Sequence, residues 1–128
     1  MYLLDTDTVI DLLHYSGNVG QRLSQIAPRE VAIAAMTLAE LRFGALNSTD
    51  VRRNLNELDR FLVRIETLPF DAQCAGIHAE LRFAMRSQAI GQHDLIIAAC
   101  ALASERTLVS SNLREFGRVP GLQVESWR

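Results

Sequence analysis

Short apolar segments of strand length alternate with longer segments of helical periodicity, and this alternation restricts the possible fold more than any other feature. The strand-like segments are 2–4, 31–35, 67–70, 107–110 and 122–127. Between them, apolar residues recur at intervals of three and four, as in a helix that buries one face. Strands that alternate with helices in this way favour a parallel or mostly parallel sheet with helices on both faces. The sequence therefore predicts an α/β fold of three layers.

Helix boundaries are predicted from capping residues and from breaks in the apolar pattern. We expect helices to begin at Thr6 or Asp7, near Val19, at Thr37, at Val51, at Asp71, at Asp94 and, for a single turn, at Asn112. Ser16-Gly17 should end the first helix, and the helix after Asp71 should reach about Gln88. The helix after Asp94 is apolar on nearly all sides, so it should be central.

The length and composition suit one folded domain covering residues 1–128. The chain is 48% hydrophobic and 22% charged, with no linker-like or repetitive segment. The longest apolar run, Leu95–Ala103, is far shorter than the roughly 20 residues that a membrane span needs. The N-terminus lacks the pattern of a signal peptide. We therefore expect a cytoplasmic protein with Cys74 and Cys100 as buried, reduced thiols.

The charge balance bears on the class of partner. The net charge is −2 at pH 7, which argues mildly against a nucleic-acid-binding protein. That objection weakens if bound cations neutralise some of the acids. All 13 basic residues are arginine, which is the better side chain for gripping phosphate groups.

Four polar side chains lie near the starts of predicted helices: Asp5, Glu40, Asp94 and Asn112. The carboxyl ends of parallel strands meet at one edge of a sheet, which is where ligands bind in such folds. Carboxylates gathered there repel each other unless a cation lies between them. Oxygen ligands favour Mg²⁺ or Mn²⁺ over zinc, and such ions suit phosphodiester hydrolysis. The pattern therefore predicts a metal-dependent hydrolase.

Each of these residues also has a purely structural interpretation. Asp5 or its neighbours can cap a helix, Thr37 with Glu40 forms a capping-box pattern, and Asn112 with Glu115 forms another. Asp94 can cap its apolar helix, although an unpaired carboxylate beside so apolar a helix is costly. Other chemistries lack support, because the chain has no paired histidine ligands, no nucleophile-elbow serine and no phosphate-binding glycine loop.

Four segments resemble the four motifs of PIN-domain ribonucleases. They are Leu3-Leu-Asp-Thr-Asp7, Thr37-Leu-Ala-Glu-Leu-Arg-Phe-Gly44, Ile90-Gly-Gln-His-Asp-Leu-Ile-Ile-Ala-Ala99 and Thr107-Leu-Val-Ser-Ser-Asn-Leu-Arg-Glu-Phe116. The ending, Val119-Pro-Gly-Leu-Gln-Val-Glu-Ser-Trp127, resembles that of VapC toxins from bacterial VapBC toxin–antitoxin modules. The motifs occur in order over the whole length.

The resemblance implies a PIN-like fold and a Mg²⁺- or Mn²⁺-dependent endoribonuclease that cuts structured RNA, of the tRNA or ribosomal type, and stops translation. It also implies a homodimer that a VapB-type antitoxin inhibits by placing its C-terminal segment in the active-site groove. The assembly would be a heterotetramer or larger, and operator DNA would be bound only through the antitoxin.

By the same resemblance, Asp5, Glu40 and Asp94 are the metal ligands and catalytic acids, with Asn112 as a fourth catalytic residue. Asn112 stands where many relatives have an acid, and Asp7 where relatives commonly have Asn. We expect Thr6, Asp7 and Ser110 to support the metal ligands rather than bind the ion. Two alternatives remain open on the sequence alone: a catalytically inactive binding module that acts through its partner, and a structure-specific DNA nuclease.

Overall fold

One five-stranded sheet organises the chain. The structure, a computed structural model, describes residues 1–14 and 17–128. The strands are β1 (Tyr2–Leu4), β2 (Val31–Ala34), β3 (Glu66–Leu68), β4 (Thr107–Val109) and β5 (Val124–Glu125). The helices of the described residues are α1 (Thr6–His14), α2 (Gly17–Ser24), α3 (Ala35–Leu46), α4 (Val51–Leu62), α5 (Ala72–Ala84), α6 (Gln92–Ala103) and α7 (Leu113–Phe116), with a 3₁₀ turn at Pro28–Glu30.

All strand pairs in the sheet are parallel, in the order β3-β2-β1-β4-β5. Leu4 at the end of β1 is in register with Ile33 of β2 and Val109 of β4. The residues that follow these three strands therefore emerge together at one edge of the sheet. This arrangement confirms the predicted α/β class.

The sheet has a hydrophobic core on each face. Successive strand residues point to opposite faces, so neighbouring residues enter different cores. One core contains Leu3, Ala32 and Leu108 with residues of α5 and α6, and the other contains Leu4, Ile33 and Val109 with residues of α1 and α4. The three predicted layers are therefore present.

Helix α1 begins at Thr6, as predicted, and its cap is one of the three residues that the sequence allowed. The backbone N–H of Thr8 donates to Oδ1 of Asp5 at 2.8 Å, so Asp5 caps the helix rather than Thr6 or Asp7. The predicted stop of this helix at Ser16-Gly17 begins outside the described residues, and α2 starts at Gly17.

Two further helix starts differ from prediction, and both concern site residues. Helix α3 begins at Ala35, two residues before the predicted start, so Thr37 and Glu40 do not form a capping box at its end. Helix α6 begins at Gln92 after Gly91, so Asp94 lies in the first turn and does not cap the helix. Glu40 and Asp94 therefore do not have the helix-capping roles that the sequence allowed.

Other elements match the predictions with shorter bounds. Asp71 caps α5 by accepting from the Cys74 N–H at 2.9 Å, but the helix ends at Ala84 rather than near Gln88. Both cysteines are buried and free. The apolar side of α4 packs into the core through Leu58. No helix among the described residues is long and apolar enough to cross a membrane.

Candidate active site

Asp5 lies directly after the central strand and is almost fully buried, with 5% of its surface exposed. Its backbone N–H donates to the carbonyl of Val109 on β4, which fixes it at the edge of the sheet. Burial raises the pKa of its carboxyl above the usual value, and hydrogen bonds from Ser110 and Thr8 oppose that rise. A buried carboxylate with only partial hydrogen-bond compensation is a favourable ligand for a cation.

Glu40 reaches the same edge from the second turn of α3. One carboxylate oxygen, Oε1, accepts a hydrogen bond from the Thr6 hydroxyl at 2.7 Å. The other, Oε2, lies 3.2 Å from Nδ1 of His93, the residue before Asp94. The Thr6 hydroxyl oxygen also lies 3.3 Å from the hydroxyl oxygen of buried Thr37. Glu40 is therefore held between the elements that carry Asp5 and Asp94.

Asp94 shows most directly that the acids share one region. Its pKa is raised from 3.8 to about 6, first by burial and then by the negative charges of four acids, which are Glu115, Asp5, Glu40 and Asp7. Mutual repulsion of this kind arises when carboxylates are close and no basic side chain neutralises them. Asp5 and Glu40 are therefore near enough for their charges to act on Asp94, as does that of Asp7, which is exposed.

The structure adds Glu115, whose position in the sequence also fits a capping box with Asn112. Glu115 is the acid whose charge acts most strongly on Asp94. The side chain of Asn112 donates to Oε2 of Glu115 at 3.1 Å and makes no capping bond to α7. Asn112 itself is held by its N–H, which donates to Oγ of buried Ser110 at 2.9 Å. The signal in the sequence was the spacing of three residues between Asn112 and Glu115.

The acids of the described residues do not surround a single point at which a metal ion would bind. Among residues 1–14 and 17–128, no three His, Cys, Asp or Glu side chains are placed to hold a single metal ion. One reason is visible in Glu40, because both of its oxygens face other partners. The donor set nevertheless suits a hard cation, since it consists of carboxylates and the charges of the others raise the pKa of Asp94. Coordination by Glu40 would require its side chain to turn from Thr6 or His93.

A groove between α1, α3 and α4 opens beside the acids. Glu40 and Glu57 both line it, and its apolar walls include Ile10, Leu41 and Leu58. The mixture of an acidic side chain and apolar walls suits a segment that has both cationic and apolar side chains.

An arginine at the end of the chain contacts α1. Arg128 forms a two-point ion pair with Asp11, with Nε to Oδ2 at 2.5 Å and Nη2 to Oδ1 at 2.8 Å. The charges of Asp7 and Asp5 also act on Arg128. The next residue inward, Trp127, packs edge-on against Tyr2 of β1. The end of the chain is thereby attached to the strand and helix that carry Asp5.

With this geometry in view, comparison with known families is decisive. The PIN domain family matches residues 2–122. The chain belongs to the PIN-domain family. That match includes Asp5, Glu40, Asp94 and Glu115, so the matched region contains the whole acid cluster.

Curated relatives place this PIN-domain protein more narrowly. It is 35% identical to ribonuclease VapC2 of Rickettsia felis, over 99% of this chain and 98% of the relative. It is 34% identical to the tRNA(fMet)-specific endonuclease VapC of Salmonella typhimurium, over 98% of this chain and 97% of the relative. Identity at this level over the full length shows a member of the VapC family.

Solved structures agree with that placement. The chain superimposes on VapBC2 from Rickettsia felis bound to a DNA fragment from its promoter, with a TM-score of 0.93 and 34% identity. It superimposes on DNA-bound VapBC from Salmonella typhimurium with a TM-score of 0.94 and 32% identity. Each comparison covers 99% of this chain and 98% of the solved chain. The three-layer PIN fold is therefore established for this VapC-family protein.

Proposed function

We propose that this chain is a Mg²⁺- or Mn²⁺-dependent endoribonuclease, the toxin of a toxin–antitoxin pair, which cuts structured RNA and inhibits translation. The acid cluster at the carboxyl edge of the sheet is the observation that carries the proposal. Burial and four neighbouring acids raise the pKa of Asp94 to about 6. A bound cation would offset this repulsion and stabilise the ionised carboxylates. The ribonuclease and endonuclease names of the VapC relatives support RNA as the substrate.

Asp5, Glu40 and Asp94 would hold the cation, and their positions come from three different elements of the fold. A cation held there would supply Lewis-acid chemistry for phosphodiester hydrolysis, the activation of water and the neutralisation of negative charge. The Thr6 hydroxyl orients Glu40, and Ser110 holds both Asp5 and the backbone of Asn112.

The remaining polar residues would assist from the rim of the cluster. Asn112 orients Glu115 through its side-chain amide. Glu115 is therefore available as a fourth acid, three residues after Asn112. Asp7 is exposed and adds negative charge near Asp5 and Asp94. We assign Asn112 a positioning role toward Glu115 and Asp7 an electrostatic one.

The direct test is cleavage of total tRNA by the purified chain, with Mg²⁺, with Mn²⁺ and with excess EDTA. Fragments should appear with either ion and disappear with EDTA. Asp94→Asn should lower the cleavage rate at least about a hundredfold, whereas Glu80→Gln, an exposed change on α5, should leave it unchanged. A parent that cuts no RNA with either ion, or an Asp94→Asn variant that cuts at the parent rate, would overturn the proposal. A labelled DNA oligonucleotide of matched sequence tests the alternative of a DNA nuclease.

A VapB-type antitoxin is the proposed partner, because the solved relatives are VapBC complexes. We infer that an antitoxin segment occupies the groove between α1, α3 and α4, where Glu40 would attract a basic side chain. The toxin would be a homodimer, assembled with antitoxin into a heterotetramer or larger, and operator DNA would be bound through the antitoxin.

Co-expression with the protein of the neighbouring reading frame tests this partnership. The complex should elute as one species of more than one toxin chain, and its toxin should be inactive on RNA. Release of the antitoxin by proteolysis should restore cleavage. A toxin that remains fully active in the complex would contradict occupation of the groove.

A further inference from the structure

The exposed side of α4 carries a concentrated set of arginines that the proposed chemistry does not use. Arg52, Arg53 and Arg60 lie with Asn56 on an arc of roughly 100° of the helix, at 100° per residue. Arg64 follows in the next turn. We define these four arginines as the basic face. The acids Glu57 and Asp59 flank the arc on its two sides, so the arc itself contains no acid.

The arginines of the basic face are available for a ligand. All four are exposed. Arg53 forms an ion pair with Glu57 at 3.3 Å, while its side chain remains 73% exposed. In the described part of the chain, Arg52, Arg60 and Arg64 form no ion pair with an acid. Unpaired guanidinium groups that converge on one surface are suited to bind phosphate groups.

A series of adjoining hollows connects the basic face with the acid cluster. The groove beside α1 is lined by Glu40 of the cluster and by Glu57 of α4. Glu57 also lines a hollow on α4 together with Arg52, Arg53 and Arg60. Arg60 then lines a third hollow, between α2 and α4, with Arg64 and Phe61. Shared lining residues make these hollows neighbours on one continuous surface.

We propose that the basic face binds the phosphodiester backbone of the RNA substrate beyond the scissile bond. This proposal rests on the proposed function and deepens it. A chain with net charge −2 and a cluster of acids at its catalytic edge repels a polyanion. A separate cationic surface, reached along a continuous path, offsets that repulsion. From Arg52 to Arg60 the helix rises roughly 12 Å, enough to face more than one backbone phosphate.

The contact predicts a dependence on the length of the substrate. A structured RNA spans both the acid cluster and the basic face, whereas a short oligonucleotide at the cut site reaches only the cluster. Loss of the basic face should therefore weaken binding and raise KM for the structured RNA. It should leave cleavage of the short oligonucleotide unchanged, because no residue of the face belongs to the catalytic acids.

The test uses full-length chains that carry Asp94→Asn for binding measurements, so that RNA stays intact. Affinity for total tRNA is measured from about 50 to 200 mM KCl in three backgrounds: R52Q/R60Q/R64Q, the corresponding lysine triple, and R29Q/R82Q/R86Q as a control of equal charge change. The first triple should reduce the slope of log affinity against log salt by about 2, since each lost phosphate contact removes about 0.7 to 0.9. The lysine triple and the control should keep the parent slope.

Cleavage by the same arginine variants in the active chain completes the design. A raised KM on tRNA with an unchanged rate on a short oligonucleotide that covers the mapped cut supports the proposal. An equal loss of slope in the control triple would overturn it, because binding would then be spread over the whole surface. Unchanged RNA affinity with lost capture of the co-expressed antitoxin would also overturn it and assign the face to the protein partner. If the parent cuts no RNA, the proposed function fails, and RNA binding by the Asp94→Asn chain reports on the basic face separately.

Discussion

Replacing Asp94 by Asn should stabilise the protein when divalent ions are absent. In the folded chain, burial and the charges of neighbouring acids raise the pKa of this carboxyl from 3.8 to about 6. A carboxyl whose pKa is higher in the folded chain than in the unfolded chain destabilises the folded state once it is ionised. At pH 7 it is ionised, so its charge opposes folding. Asn has nearly the same shape and no charge, and it removes that repulsion.

The size of the effect follows from the pKa difference. The rise from 3.8 to about 6 corresponds to about 3 kcal/mol at roughly 1.36 kcal/mol for each pKa unit. Asp94 is only half-buried, so solvent screening reduces this to on the order of 1 kcal/mol. For a chain of this length, about 1 kcal/mol corresponds to a rise in Tm of about 4 °C.

The pH dependence gives the sign an independent check. Below about pH 4, Asp94 is protonated in the folded and unfolded chains, and the parent and the variant should be equally stable. Between about pH 4 and 6 the unfolded chain loses this proton first, so the parent loses stability as pH rises. Above about pH 6 the difference between parent and variant should be constant.

The assay is urea unfolding followed by circular dichroism, from pH 4 to 8, in EDTA. Glu80→Gln serves as the control and should follow the parent at every pH, because Glu80 is exposed on α5. Added Mg²⁺ should stabilise the parent more than Asp94→Asn, since a cation that binds the folded state adds stability by mass action. A variant less stable than the parent at pH 7 in EDTA would refute the reasoning, because Asp94 would then support the fold.

Three further outcomes follow from contacts described above. Leu58→Ala, at a side chain that is 2% exposed in the core beneath α4, should lower the free energy of unfolding by about 3 kcal/mol in urea titrations, and a loss below about 1 kcal/mol would contradict close packing there. Burial raises the pKa of Cys74 and raises that of Cys100 to about 12. Ellman's reagent should therefore label neither thiol in the folded chain at pH 8 and both thiols in guanidinium. Rapid labelling of one thiol per folded chain would show that this cysteine is accessible to solvent. Thr6→Val should lower single-turnover RNA cleavage about fivefold by removing the 2.7 Å hydrogen bond to Glu40, and an unchanged rate would show that this bond does not position the acid.

The order of strands and helices was predictable because it rests on local patterns. Apolar segments such as Val31–Ala34 are too short and too continuous for an amphipathic helix, and the helix of Gln92–Ala103 is apolar on all sides. Parallel pairing then follows from alternation, and with it the meeting of Asp5, Glu40 and Asp94 at one edge. These features need no knowledge of distant contacts.

The details of the site were not predictable because they depend on contacts between distant segments. Glu40 is fixed by Thr6, 34 residues away, and by His93, 53 residues away. Neither contact leaves a local signal in the sequence. The same limit applies to Glu115, whose spacing from Asn112 matches a capping box equally well. Only the packed structure shows which partners each of these side chains has.

The predicted starts of α3 and α6 were wrong for a related physical reason. The segment that follows Val31–Ala34 is rich in Ala and Met, which enter a helix readily, so α3 starts without a capping side chain. Gly91 supplies the start of α6 in the same way. The polar residues nearby, Thr37 and Asp94, looked like caps only because capping residues and site residues are drawn from the same amino acids.

Asp5 unites fold and chemistry in one side chain, and this has an evolutionary consequence. Its carboxylate holds the first turn of α1 through the Thr8 amide while it lies buried at the end of the central strand. A mutation that removes it leaves a buried N–H without its partner, so activity and folding decline together. Under the proposed function, loss of charge at Asp94 would silence the site while it relieves repulsion. Lineages that give up catalysis but keep the scaffold for binding should therefore retain Asp5 and change Asp94 first, and that combination would identify them among related genes.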